Sequence, residues 1–123
     1  MAWLVPARLL ETRPGRTTID GQSNSRGTAR AGAITPLQVT GRGGVPVGAS
    51  TVVLNVTVTE PTVPGYVTVY PCGIDPPLAS NLNFVCGQTV ANAVIVKLSS
   101  DGKVCIYTSN ATELIADVNG YLP

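Results

Sequence analysis

Three cysteines, seven carboxylates and no histidine define the chemistry open to this chain. Without imidazole, the Ser-His-Asp and Cys-His arrangements have no base. Glycoside hydrolysis needs only two suitably spaced acids, but most of the acids here fall near turns or strand ends, so no catalytic residue and no enzyme are predicted. Zinc has no CxxC pair and no imidazole to bind it. "DVNG" (117–120) offers oxygens that suit a hard cation, yet the rest of a calcium loop is missing and the stretch reads as a reversal. No metal and no cofactor are predicted. "GRGG" (41–44) lacks the Lys-Ser/Thr and following helix of a phosphate cradle and reads as a turn before Val45 and Pro46. Asn55-Val56-Thr57 and Asn110-Ala111-Thr112 fit the glycosylation pattern; strand and loop polar residues are the simpler reading.

Two groups of side chains remain as interaction candidates. Asn55, Thr57, Thr59, Tyr66, Thr68 and Tyr70 alternate along two stretches and read as one polar sheet face. Such a face can bind sugars by stacking and hydrogen bonding, be an ordinary wet surface, or meet another subunit. Arg8, Arg13, Arg16, Arg26 and Arg30 form the second group, suited to paired hydrogen bonds with carboxylates. With Arg42, they stand in residues 1–50 against only Glu11 and Asp20, a surplus of +4; residues 51–123 carry Lys97 and Lys103 against five acids, a balance of −3. The opposed charges can knit one chain together or complement a neighbouring copy.

Cysteine parity adds a third candidate. Cys72 lies two residues beyond Tyr70, on the face of Tyr66 and Thr68. Cys105 shares a face with Tyr107 and opposes Val104 and Ile106. If those strands are neighbours, both thiols reach one side of a sheet, as a disulfide needs; three buried free thiols are the competing reading. In the paired reading Cys86 is the odd one out.

The elements that must position these groups are strands. The 123 residues include 13 Gly and 10 Pro, with 44% hydrophobic and 12% charged residues, a composition for short strands and tight turns around one core. In "TVVLNVTVTE" (51–60), Val52, Leu54, Val56 and Val58 share a face, the period of a half-buried strand. "EPTVPG" (60–65) turns the chain into "YVTVY" (66–70), which predicts a hairpin over 51–70. "TVANAVIVKLS" (89–99) is a further strand, with Val94, Val96 and Leu98 inward. "SDGK" (100–103) is a turn, and "VCIYT" (104–108) and "ELIADVNGYL" (113–122) close the series. Residues 11–36 show neither period and read as a long irregular segment with a short strand near Ile34. The predicted fold is all-β: an antiparallel sandwich or jelly roll forming a single domain over 1–123, with an extended arm at 1–36 and the sandwich core at 37–123. Ordering such an arm costs ~1–2 kcal/mol per residue, which predicts that a partner holds it.

In order along the chain stand "PARLLETRPG", "VTGRGGVP", "VVLNVTVTEPTVPGYVTVYPCG", "ASNLNF", "GQTVANAVIVKL", "GKVCIYT" and "DVNGYLP". Together, from Pro6 to Pro123, they resemble a domain of exported proteins of actinobacteria and their relatives, found beside hydrolase or peptidase modules or in tandem. Family members usually read "DTR" where this chain has Glu11-Thr12-Arg13, and often carry cysteines matching Cys72 and Cys105 but not Cys86. The resemblance implies an accessory surface module rather than a catalyst.

Two functions fit these readings. The first is a structural protein of an actinobacteriophage particle, a capsid decoration or fibre-head protein on the virion surface. It would be a homo-oligomer, a trimer by analogy with sandwich proteins on three-fold axes, meeting a capsid or other virion protein through residues 6–36. The five residues before Pro6 hold no leader, as expected of a protein assembled inside a host. The alternative is a secreted cell-surface or cell-wall module that binds carbohydrate. A net charge of +1 argues against nucleic acid as a partner, and no run approaches the ~20 apolar residues that span a bilayer.

Overall fold

The computed structural model describes all 123 residues and contains eight strands and no helix. They are β1 (Ala2–Glu11), β2 (Ile34–Gln38), β3 (Thr51–Thr59), β4 (Gly65–Pro71), β5 (Leu82–Phe84), β6 (Val90–Lys97), β7 (Lys103–Thr108) and β8 (Glu113–Leu122). The pairing is nested: β1 with β8, β2 with β7, β3 with β6 and β4 with β5, all antiparallel. The chain is in effect one long hairpin with its tip between β4 and β5. Winding this hairpin alternates its pairs between two sheets. Ladders β3–β8 and β4–β7 complete the orders β1-β8-β3-β6 and β2-β7-β4-β5.

The sheets enclose one apolar core, in the arrangement of a β-sandwich. Val52, Leu54, Val56 and Val58 of β3 are buried, as are Val94 and Val96 of β6 and the following Leu98. They meet Leu37, Val67, Val69, Val104 and Ile106 of the second sheet within a single cluster. Full burial of a side chain such as Leu54 contributes ~1.5–3 kcal/mol. The "SDGK" turn is as tight as its sequence suggests. Gly102 has φ +78°, and a Cβ there would collide with the side chain of Thr40.

Two expectations are corrected. Residues 51–70 are not a hairpin, because β3 and β4 belong to opposite sheets. Both strands bury an inward face, and laying those faces against each other requires two layers. Pro61 and Pro64, which lack N–H groups, make the intervening segment a poor ladder.

The arm expected over 1–36 is not an arm. Residues 2–11 are strand β1, paired with β8, and the irregular remainder folds back onto its own domain. β1 escapes a period-two reading because its register slips twice, between Trp3 and Ala7 and between Arg8 and Leu10, leaving the consecutive Leu9 and Leu10 both buried. The polar segment is tied to its own domain by hydrogen bonds. Ile19 N donates to Arg8 O, Glu11 N to Ser23 O, Gly27 N to Thr12 O and Gly32 N to Thr108 O, and Ala29 and Thr112 exchange a pair.

Arg42, in "GRGG", is the hub of this arrangement. Its side chain is 2% exposed and donates to both oxygens of Asp20 at 2.8 and 2.9 Å and to the carbonyls of Leu9, Gln22 and Gln38. These bonds hold the Asp20 carboxyl down at about 2; burial pushes the other way, and the Gln22 N–H, the Arg42 charge and Thr18 add to the lowering. Gly43 follows with φ +58°, its α-carbon pressed to the core where a Cβ would lie 3.0 Å from Val118 Cγ1.

Candidate functional site: a tyrosine cleft beside a disulfide-anchored loop

β4, β7 and β2 turn Tyr66, Thr68, Tyr70, Cys105, Tyr107 and Ile34 to the outer face of the second sheet. Tyr107 stands opposite both Thr68 and Ile34, and Cys105 opposite Tyr70. The loop 72–81 crosses this face. A disulfide joins Cys72 to Cys105, Cα to Cα 5.0 Å, fixing the start of the loop over the middle of the sheet. Its far end is held by polar contacts: Thr68 Oγ1 donates to Ala79 O, Val69 N to Asn81 Oδ1 at 2.7 Å, and Asn92 Nδ2 to Asn81 O at 2.7 Å.

The loop divides the expected polar face. Thr68 and Tyr70 are buried beneath it; burial, with the charge of Asp75, pushes the Tyr70 hydroxyl above its ordinary value. Tyr66 stays 37% exposed, with its ring centroid 5.9 Å from that of Tyr107 and the planes tilted by 47°. Asn55 and Thr57 lie half-buried on the other sheet, and Thr59 is buried. The structure therefore does not bring the six residues together.

Beside the tyrosines the loop leaves two adjoining clefts. One, of about 320 Å³, is lined by Tyr66, Leu78, Ala79, Ser80 and Asn83. The other, of about 210 Å³, is lined by Tyr66, Pro76, Pro77, Leu78 and Tyr107. No Asp, Glu, Lys or Arg lines either. The chemistry on offer is an angled pair of aromatic rings for stacking, with hydroxyl and amide groups at one end. Tyr107 was within reach of the sequence, since it shares its face with Cys105. Pro76, Pro77, Leu78, Ser80 and Asn83 carry no period, and their convergence depends on where the loop lies.

The other depressions have different linings. A groove of about 380 Å³ runs between turns lined by Thr40, Ser50, Lys97, Ser99 and Asp101 and contains no aromatic ring. The Asp101 carboxylate accepts from Ser99 Oγ and lies 3.7 Å from Lys103 Nζ. No group of three or more Cys, Asp or Glu side chains converges as a metal site would require.

Of the five candidate arginines, Arg8, Arg13 and Arg26 meet partners within the chain. Arg8 donates to Asp117 at 2.9 Å and to Glu11 at 3.3 Å, and Arg13 grips Glu11 through two bonds of 2.9 Å. Glu11 is fully buried. Burial would raise its pKa, but Arg13's hydrogen bonds and the charges of Arg13 and Arg8 outweigh that and lower it. Thr12 accepts from Leu114 N and donates to Glu113 Oε1. "ETR" is thus a structural clamp that locks the end of β1 to β8. Arg26 donates to Pro36 O, while Arg16 and Arg30 are exposed. Cys86 is a free, exposed thiol.

No protein-family model matches the chain, and no curated protein matches it significantly.

Proposed function

We propose that this chain is a non-catalytic, exported surface module that binds neutral glycan chains at the Tyr66–Tyr107 cleft. The observation that carries the reading is the cleft itself: two angled tyrosines, an uncharged lining, and a wall held by a disulfide. Sugar rings present apolar C–H faces to aromatic rings and hydroxyls to groups such as Ser80 and Asn83. The Cys72–Cys105 bridge suits an oxidising compartment, which agrees with the resemblance to exported accessory domains. The nested pairing of β1–β8, β2–β7, β3–β6 and β4–β5 supports reading the sandwich as a jelly roll, an architecture shared by lectin and capsid domains.

The shared architecture keeps a virion decoration protein as the second reading. An arginine-rich arm in need of a partner is one of the supports of that reading. Arg8, Arg13 and Arg26 have their hydrogen bonds inside the domain, so the weight shifts to the cleft.

Affinity electrophoresis against a panel of neutral and anionic polysaccharides tests the proposal. Retardation by a neutral glycan, lost in Tyr66→Ala and Tyr107→Ala but kept in Arg30→Ala, is the expected result. Retardation only by anionic polymers, or insensitivity to both tyrosine changes, would overturn it.

A further inference from the structure

A two-sheet fold has four edge strands, and their unpaired N–H and C=O groups are templates for another strand unless protected. Here three edges are protected. β1 has Pro6 and two register shifts, and its free side is covered by the chain's own segment: Ile19 N donates to Arg8 O and Glu11 N to Ser23 O. β2 carries Pro36, whose carbonyl accepts from Arg26. β5 has only three residues.

β6 differs on every count. It runs eight residues, VANAVIVK, with no proline and no charge before Lys97. Its register with β3 is unbroken from Val58↔Val90 to Thr51↔Lys97. Ala91, Ala93 and Ile95 are exposed, Ile95 to 69%. We infer that β6 pairs antiparallel with β6 of a second copy of this chain, giving a two-fold dimer in which β1-β8-β3-β6 of each copy joins into one continuous sheet.

The backbone sets the parity of this pairing, and the side chains select its register. Leu98 N donates to Ser50 O, so the even-numbered positions of this strand turn their hydrogen-bonding groups toward β3. Ala91, Ala93, Ile95 and Lys97 turn theirs outward. Directly opposed residues in an antiparallel pair share a face, so odd positions must oppose odd positions. A dyad at Ala93 sets Ala93 against its own copy, Ile95 against the partner's Ala91, and Lys97 against the partner's Thr89. Large then meets small on the outer face, and the lysine meets a hydroxyl rather than a like charge. A dyad at Ile95 would set isoleucine against isoleucine, those at Ala91 and Asn92 would run the pairing past the strand end, and one at Val94 would set Lys97 against the partner's Ala91, with no hydroxyl to meet it. The axis stands normal to the sheet, so both Tyr66–Tyr107 clefts lie on the same side of the dimer. The dimer does not depend on what those clefts bind.

Sedimentation velocity across a concentration series tests this, with Cys86→Ser in every protein so that the free thiol cannot link chains. The expected result is a concentration-dependent monomer–dimer equilibrium. Ala93→Pro removes a donor that faces away from β3 and should leave circular dichroism and the melting temperature nearly unchanged. It deletes both central inter-chain bonds and should weaken the dimer about tenfold or more. Ile95→Lys, at an exposed position, should also weaken it, and decides the matter if Ala93→Pro fails to fold. Ala93→Cys should cross-link under mild oxidation, because Cα atoms of a hydrogen-bonded pair lie ~5.5 Å apart. A monomer at the highest soluble concentration overturns the proposal. So does a dimer indifferent to both edge substitutions, or one in which Ala93→Cys stays unlinked.

Discussion

Residues 12–33 and 72–81 are both irregular, and both lie against the sheets rather than within them. They are kept in place by different means. The first is fastened by Arg42 and by a series of backbone hydrogen bonds to β1, β7 and the start of β8. The second is fastened at one end by a covalent bond and at the other by Thr68, Asn81 and Asn92. Charge and hydrogen bonding make the first sensitive to protonation; a disulfide makes the second sensitive to reductant. The tyrosine cleft belongs to the redox-sensitive region.

The largest effect should come from the hub. Arg42→Ala leaves Asp20 and three carbonyls without their guanidinium, and should cost about 3–5 kcal/mol in denaturant unfolding. Arg42→Lys should recover little, because an ammonium cannot reproduce the paired bonds. A loss below ~1 kcal/mol would mean that the segment is held elsewhere.

Opening the disulfide comes next. Its sequence separation is 33, for which chain entropy gives about 3–4 kcal/mol. In Cys72→Ala/Cys105→Ala, hydrogen exchange should rise in 72–81 and glycan retardation should fall, while 12–33 stays protected. Equal loosening of both regions would erase the contrast between them.

Acid should act on the other region, and more weakly. Asp20 is held at about 2 against an ordinary 3.8. A depressed carboxylate stabilises fully above its unfolded value, and that contribution is lost as pH falls from about 4 toward 2. With its partial exposure allowed for, the loss is about 1–2 kcal/mol. Asp20→Asn should remove that share of the acid slope, and an unchanged slope would assign it to another group. The smallest effect belongs to Arg30→Ala, exposed in the same segment, expected within ~0.5 kcal/mol. A larger loss would reveal a contact at Arg30 that the fold does not account for.

What could be read from the sequence follows the reach of each interaction. β3, β6 and β8 declare themselves through alternation, and Val52, Leu54, Val56 and Val58 are inward as their spacing requires. Face parity also brings Cys72 near Cys105 once their strands are taken as neighbours. β1 stays hidden because bulges break its period around Leu9 and Leu10. Arg42 stays hidden because four residues of glycine and arginine look like any flexible turn, and all its partners but Gln38 lie 20 or more positions away. The polar face fails for a different reason. Period two says which side of a strand a residue takes, but not which sheet it joins, nor that a loop will cover Thr68 and Tyr70.

The nested pairing carries a mechanical consequence. Ala2 stands beside Tyr121, so tension applied through the two ends of the domain loads the β1–β8 ladder at one tip. Antiparallel strands drawn apart from the same tip separate rung by rung, rather than shearing all rungs together. The domain should yield at low force, beginning at Ala2 and Tyr121 and running toward the Glu11–Arg13 clamp. Extension must then stop at the cystine. The residues between Cys72 and Cys105 include the cleft wall, β5 and β6, and they carry none of the pull while the bond is intact. Under load the module would lengthen like a spring with a locked centre, giving up β1 and β8 first.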